Sequence, residues 1–240
     1  MIISSEEYRE RIKVPDNLNP KEYILLPDLN LIISIDTFFS DENWWITHQK
    51  STKEHAGMPN LSEFLDLLKL LHEENALYAD NSIVPLQRCK ELFIEIAGLR
   101  RESSKIIYLD KDKINGRVIM QTPKREEWLD EMYLPNEEGG LERQTDHLYT
   151  NERLTPFRTE PLGFYLGKTR EISLIDLIYR HTKQGLPVIA QKRGNLKYSP
   201  PKFAMVANFR STPFGLSLDC DELPMNRHSD RKIRKKYAIN

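Results

Sequence analysis

The stretch PNLSEFLDLLKLLHEEN, Pro59 to Asn75, constrains the fold of this chain more than any other. Asn60 stands where a helix N-cap belongs, and Glu63, three residues on, can return its carboxylate to the Asn60 N–H, the reciprocal arrangement of a capping box. Leu61, Phe64, Leu65, Leu68 and Leu71 recur at three- and four-residue intervals, so one face of this helix is apolar and must be covered. A second amphipathic stretch, PLQRCKELFIEIAGLRR, offers the cover. Leu86, Cys89, Phe93, Ile96 and Ala97 fall on one side of it, and Gly98 weakens its end. Two helices that pack together are therefore expected before the middle of the chain.

Strands are expected on either side of them. In YILLPDLNLIISID, Tyr23 to Asp36, two apolar runs flank Pro27 and Asp28, as in two short strands around a turn or one strand interrupted at an edge. KIIYLDKDKINGRVIMQTP reads as a hairpin turning at Asn115–Gly116. Near the end, Leu216, Leu218 and Cys220 alternate with Ser217, Asp219 and Asp221, which predicts a strand with one row buried and the other exposed. EEWLDEMYL and ISLIDLIYRHTKQG are predicted as shorter helices, the second stopping at Gly185 with Pro187 beyond it. Between them, LPNEEGGLERQTDHLYTNERLTPFRTEPLG is polar and turn-rich, and reads as a long surface loop. Helices in the middle with strands at both ends predict an α+β fold, one domain over residues 1–240, in which the N-terminal strand pairs with C-terminal ones.

Composition narrows the function classes. Hydrophobic residues make up 39% of the 240, enough for a sizeable core, and 35 basic against 36 acidic residues give a formal charge of −1. No global field draws such a chain to nucleic acid or to an anionic membrane, so any attraction must be local. No apolar run approaches the length of a membrane span, and MIISSEEYRERIKV fits neither a secretory signal nor a transit peptide. Cys89 and Cys220 stand far apart without a CxxC pattern, which argues against a disulfide framework or a zinc cage and for an intracellular, cytoplasmic protein.

Motifs for ordinary enzyme chemistry do not emerge. His48, His55, His72, His147, His181 and His228 are scattered, with no HExxH, HxH or Cys/His spacing, so neither a metal site nor a cofactor is expected. The glycines at Gly139 and Gly194 match neither a Walker loop nor a GxGxxG fingerprint, and no serine sits in a GxSxG elbow. Cys89 on an apolar helix face reads as a structural thiol, and Trp44–Trp45 as core. The tail RHSDRKIRKKYAIN reads as a solvated charge run.

What remains is the alternating strand. Arg210, Thr212 and Phe214 precede it, and Glu222, Leu223, Asn226, Arg227 and His228 follow, a mixture of charge, aromatic and hydrogen-bonding types that suits a recognition surface. The succession LLPDLNLIIS, NWWITHQ, MPNLSEFLDLLKLL, ELFIEIAGLR, EWLDEMY, EPLGFYL, KQGLP, VANF, LSLDC, Pro224 and KIR resembles archaeal relatives of the variable proteins of diversity-generating retroelements, with an interruption from Glu102 to Pro123. That resemblance implies a C-type lectin-like fold, here with an N-terminal strand and two packed helices, and a ligand-display, hypervariable region over residues 203–240. It implies that Val206, Ala207, Phe209, Leu218, Cys220, Pro224, Ile233 and Arg234 keep the scaffold. It implies that Arg210, Thr212, Phe214, Gly215, Ser217, Asp219, Asp221, Glu222, Leu223, Asn226, Arg227 and His228 are the diversified, ligand-binding positions.

The function expected on these grounds is non-enzymatic binding of a macromolecular ligand, protein or glycan, with no membrane and no nucleic acid as the main partner. Two alternatives come from other classes. One is an enzyme like the formylglycine-generating enzymes, whose paired cysteines have no counterpart in Cys89 and Cys220. The other is nucleic-acid binding through Arg227, Arg231, Lys232, Arg234, Lys235 and Lys236.

Overall fold

The computed structural model describes residues 4–39, 42–96, 108–111, 118–120, 126–135, 141–150, 153–161, 205–212, 215–222 and 232–239. Helix α1 (Ser5–Arg11) starts at Ser4, whose hydroxyl accepts from the Glu7 N–H, and carries Glu6 and Glu7 in the first turn, where the helix dipole favours acid. Strands β1 (Tyr23–Leu26) and β2 (Leu31–Ser34) follow as an antiparallel pair. Pro27 opens the 3-10 turn between them, and Asn30 closes it in the left-handed conformation at φ 52°, which asparagine tolerates better than most residues.

Helix α2 (Trp44–Lys53) is capped by Asn43, and helix α3 (Leu61–His72) by the capping box that its sequence announces. The Asn60 side chain accepts from the Glu63 N–H at 3.1 Å, and Glu63 accepts from the Asn60 N–H at 2.8 Å. After strand β3 (Leu77–Tyr78) comes helix α4 (Leu86–Ile96). Leu61, Phe64, Leu65, Leu68 and Leu71 are all buried, and α4 covers them with Cys89, Leu92, Phe93 and Ile96. Each such side chain contributes about 1.5–3 kcal/mol by leaving water. Leu86, expected on the same face, is exposed at the first residue of its helix. Ala97 and Gly98 lie outside the described residues.

The remaining strands are β4 (Tyr108–Lys111), β5 (Val118–Met120), β6 (Glu126–Pro135), β7 (Leu141–Thr150), β8 (Arg153–Pro161), β9 (Met205–Thr212), β10 (Gly215–Glu222) and β11 (Lys236–Ala238). Strands β4 and β5 pair antiparallel, as the hairpin reading requires, while Asn115–Gly116 lies outside the described residues. One sheet has the order β11-β2-β1-β3 and a second the order β10-β9-β6-β7-β8. The fold is thus mixed helix and antiparallel sheet, of the α+β class.

In the first sheet both faces are covered. Ile24, Leu26, Leu31 and Ile33 join the core under α3 and α4, while Tyr23, Leu25 and Ile32 pack with Ala56 and Tyr237 on the other side. That is why the sequence shows apolar runs here and no alternation. The chain's end closes the same sheet, Lys236 pairing with Ile33, Tyr237 with Ile32 and Ala238 with Leu31. The expected pairing of N-terminal and C-terminal strands is present.

Two expectations about secondary structure are overturned here. EEWLDEMYL is not a helix but strand β6, held between β7 and β9. An amphipathic helix over this segment would turn Glu127, Asp130 and Glu131 to water, whereas in the strand all three are buried. The polar stretch read as a surface loop forms the hairpin of β7 and β8, with Arg143, Thr145, Asp146 and His147 buried. Paired charges replace apolar residues inside these strands, so no hydrophobic period marks them. The helix expected at ISLIDLIYRHTKQG lies outside the described residues. Among the described residues no helix is long and apolar enough to cross a membrane.

Candidate functional site

A seam of buried charge joins the second sheet to the N-terminal half. Lys236 sits at its centre, fully buried, with its ammonium 2.9 and 3.1 Å from the Glu63 carboxylate oxygens and 2.7 Å from Asp146. Asn60 adds a hydrogen bond to Asp146 at 3.3 Å, and Arg158 reaches the same carboxylate at 3.2 Å from the solvent side. Asp146 holds a left-handed backbone at φ 60° within β7, a conformation that its bonds to Lys236 and Asn60 keep in place. Burial pushes the Asp146 carboxyl up, but the Lys236 and Arg158 charges prevail and hold it below its ordinary value. Burial likewise opposes the Lys236 charge, and Asp146 with Glu63 overrides it, keeping the ammonium protonated well above its ordinary range. Glu63 shares that single cation. Burial pushes its pKa up to about 7 against the pull of Lys236.

Further along β6, Glu131 pairs with Arg143 at 2.7 and 3.2 Å and accepts from the Leu61 N–H at 3.1 Å, so it also faces the positive end of α3. Glu127 accepts from Arg234 at 2.8 Å, and the same guanidinium donates to the Ser34 and Ile35 carbonyls. Arg234 and Lys236 are therefore internal counter-charges, not members of a solvated tail. They cannot serve the nucleic-acid alternative, whereas Lys232 is exposed and Arg227 and Arg231 lie outside the described residues. Ile233 is buried as well, so both C-terminal residues assigned to scaffold duty are interior.

Between these ion pairs lies a different cluster. His48 on α2, Asp130 on β6 and His147 on β7 are all buried, and their ligand atoms lie within 4.8 Å of one another. Asp130 accepts from the His147 backbone N–H at 2.8 Å and contacts His147 Nδ1 at 2.5 Å, while His48 Nε2 stands 3.5 Å from Asp130 Oδ1. Trp44 walls the cluster. Its indole N–H donates to the Leu129 carbonyl at 2.8 Å, and its ring meets both imidazoles edge-on at 4.3 and 5.3 Å. Burial lowers the His48 pKa to about 4, so its ring is neutral at pH 7. His48 Nε2 and His147 Nε2 have no hydrogen-bond partner, nor has Ser51 Oγ one turn along the buried face of α2. A buried polar atom left so costs about 1–3 kcal/mol. The reading of Trp44–Trp45 as core holds for Trp44; Trp45 is 40% exposed.

Of the residues expected to bind ligand, Arg210 and Thr212 fall on β9, and Gly215, Ser217, Asp219, Asp221 and Glu222 on β10. Their ladder pairs Gly215 with Thr212, Ser217 with Arg210, Asp219 with Asn208 and Asp221 with Val206. The intervening pairs are Leu216 with Ser211, Leu218 with Phe209, Cys220 with Ala207 and Glu222 with Met205. Because directly opposed residues share a face of an antiparallel ladder, Arg210 and Thr212 occupy the same row as Ser217, Asp219 and Asp221. Glu222 and Val206 each fall in the row opposite to the one assigned them. The side chains of these two strands, and Phe214, Leu223, Asn226, Arg227 and His228 altogether, lie outside the described residues.

Comparison with protein-family models, with curated proteins and with solved structures finds no match to this chain. Sequence reasoning missed His48, Asp130 and His147 because no local ligand spacing connects them. Asp130 was hidden in an expected helix and His147 in an expected loop. A usable signal was the density of charge in TDHLYT and EEWLDE, two segments that also carry Trp128, Leu129 and Leu148 for the core.

Proposed function

We propose that the chain is a non-enzymatic ligand-binding protein which displays a variable surface, of the diversity-generating retroelement type, on a C-type lectin-like scaffold. The observation that carries this reading is the register of β9 and β10. Gly215, Ser217, Asp219 and Asp221 share one row with Arg210 and Thr212, and the other row holds Leu216, Leu218, Cys220, Phe209 and Ala207. Residues of one row can change together while those of the other keep the strand seated. Among the described residues, strand β10 is the end member of its sheet order, next to β9. On the far side of β9, strand β6 is tied to the rest of the molecule by Glu127, Asp130 and Glu131.

The ligand class that suits such a mixed polar row is a protein or a glycan. Arrays of glycans and of cell-surface and viral proteins, probed with the whole chain, test this. A ligand is expected whose binding falls at least tenfold when Ser217, Asp219 and Asp221 are replaced together by other polar residues, with the melting temperature within a few degrees of the parent. Unchanged affinity for that ligand would overturn the reading. In the neighbouring DNA, a reverse transcriptase gene and a near-copy of the Val206 to Arg234 coding segment are expected.

A further inference from the structure

We propose that His48, Asp130 and His147 form a binding site for one divalent transition-metal ion of the zinc or iron(II) class. Three separate elements bring these groups together. His48 comes from α2, whose N-cap Asn43 fixes the start of the helix and whose buried face also carries Trp44 and Ser51. Asp130 comes from an irregular point of β6. The ladder with β9 pairs Trp128 with Asn208 and Met132 with Val206, so the β6 side holds two residues more than its partner. Inside that bulge the Asp130 N–H leaves the sheet and donates to the Pro59 carbonyl at 3.0 Å. Bulges of this kind re-aim a side chain, and here the re-aimed group is the carboxylate. His147 follows the left-handed Asp146, and its backbone N–H is anchored on Asp130 Oδ2.

The chemistry of the donor set points to the class of ion. Two imidazoles and one carboxylate match zinc and ferrous iron, whereas calcium and magnesium take oxygen ligands and copper(I) takes sulfur. In tetrahedral geometry, metal–ligand bonds of about 2.0–2.2 Å place ligand atoms about 3.3–3.6 Å apart, so the 4.8 Å span closes with a contraction of up to about 1.5 Å when the ion enters. The second, independent observation is the pair of buried imidazole nitrogens that make no hydrogen bond. Glu63, Glu127, Glu131, Asp146 and Lys236 nearby each have a counter-charge within 3.2 Å. His48 Nε2 and His147 Nε2, equally buried, form no hydrogen bond, and His48 Nε2 has only the 3.5 Å approach to Asp130 Oδ1. Trp44, held by its own bond to Leu129, keeps both rings in place, as an outer shell does around a metal. Among the described residues this is the group of histidine and carboxylate side chains whose ligand atoms converge.

Cobalt(II) substitution tests the site directly. The full-length chain, stripped with a chelator and titrated with cobalt(II), is expected to develop visible absorption bands that saturate at one equivalent, to lose them when zinc is added, and to ignore calcium. Elemental analysis of the protein as purified is expected to find close to one equivalent of zinc or iron. His48→Gln and His147→Gln are each expected to weaken cobalt binding at least a hundredfold, while His55→Gln, at an exposed histidine, leaves it unchanged. If the substituted chains fail to fold, the parent titration still decides. The proposal is overturned by a parent chain that gives no bands and no stoichiometric metal, which would make the pocket a hydrated histidine pair. Bands that persist in a folded double variant at His48 and His147 would overturn it too.

Discussion

Strands β6 and β10 belong to one sheet, yet they are held in different ways. Strand β6 has β7 on one side and β9 on the other, and its buried Glu127, Asp130 and Glu131 meet Arg234, His147 and Arg143. Strand β10 is the last strand of the order, beside β9. The difference teaches where this chain tolerates change. Breaking one member of a buried ion pair leaves an uncompensated charge in low dielectric and costs about 3–5 kcal/mol, whereas exchanging one exposed polar residue for another stays within about 0.5 kcal/mol.

The comparison breaks most visibly at Lys236. Lys236→Met leaves Glu63 buried without its cation and Asp146 with Arg158 alone, so urea denaturation is expected to register a loss of about 3–5 kcal/mol. A loss below about 1 kcal/mol would mean that the seam does not pin the sheet. Next in size is the pH dependence that Glu63 creates. Burial moves its pKa from the ordinary 4.5 up to about 7, so the folded chain binds more protons than the unfolded one between those values. The stability contributed by its protonated form is complete below pH 4.5 and is lost as pH rises through about 7. Melting curves across that window are expected to fall for the parent relative to Glu63→Gln, and parallel curves would remove Glu63 from the account.

A smaller effect belongs to Gly57, whose backbone exchanges hydrogen bonds with Lys236 at 2.8 and 2.9 Å. A Cβ there would lie 2.9 Å from Tyr8 Oη and 3.1 Å from Lys236 Cε, both in the buried seam. Gly57→Ala is expected to cost about 1–3 kcal/mol, seen as a lower urea midpoint with an unchanged slope. The smallest effect is expected on β10. Asp219→Asn and Ser217→Thr should each move stability by no more than about 0.5 kcal/mol, and a shift as large as that of Gly57→Ala would erase the contrast.

How much of this was legible depended on whether the information was local. The capping box at Asn60 and Glu63, the apolar face of α3 and the Pro27 turn between β1 and β2 are set by neighbours in sequence, and all were readable. The closing of the first sheet by the chain's end followed from the segregation of strands and helices. Strands β6, β7 and β8 were not legible, because their interior positions hold Glu127, Asp130, Glu131, Arg143, Asp146 and His147, residues whose burial makes sense only once distant partners are known. Arg234 and Lys236 look like any basic tail until Glu127, Glu63 and Asp146 are folded against them. The metal-type cluster was invisible for the same reason. In the β9–β10 pair the alternation of Leu216, Leu218 and Cys220 pointed to a strand, and β10 forms over that segment.

The measurement that bears most directly on a pinned scaffold with a replaceable strand is a paired library scan read by resistance of the folded chain to protease. One library randomises Arg210, Thr212, Gly215, Ser217, Asp219 and Asp221; the other randomises Glu63, Glu127, Glu131, Asp146, Arg234 and Lys236. Most members of the first are expected to stay folded and few members of the second. Equal losses in the two libraries would contradict the division of labour drawn between β10 and β6.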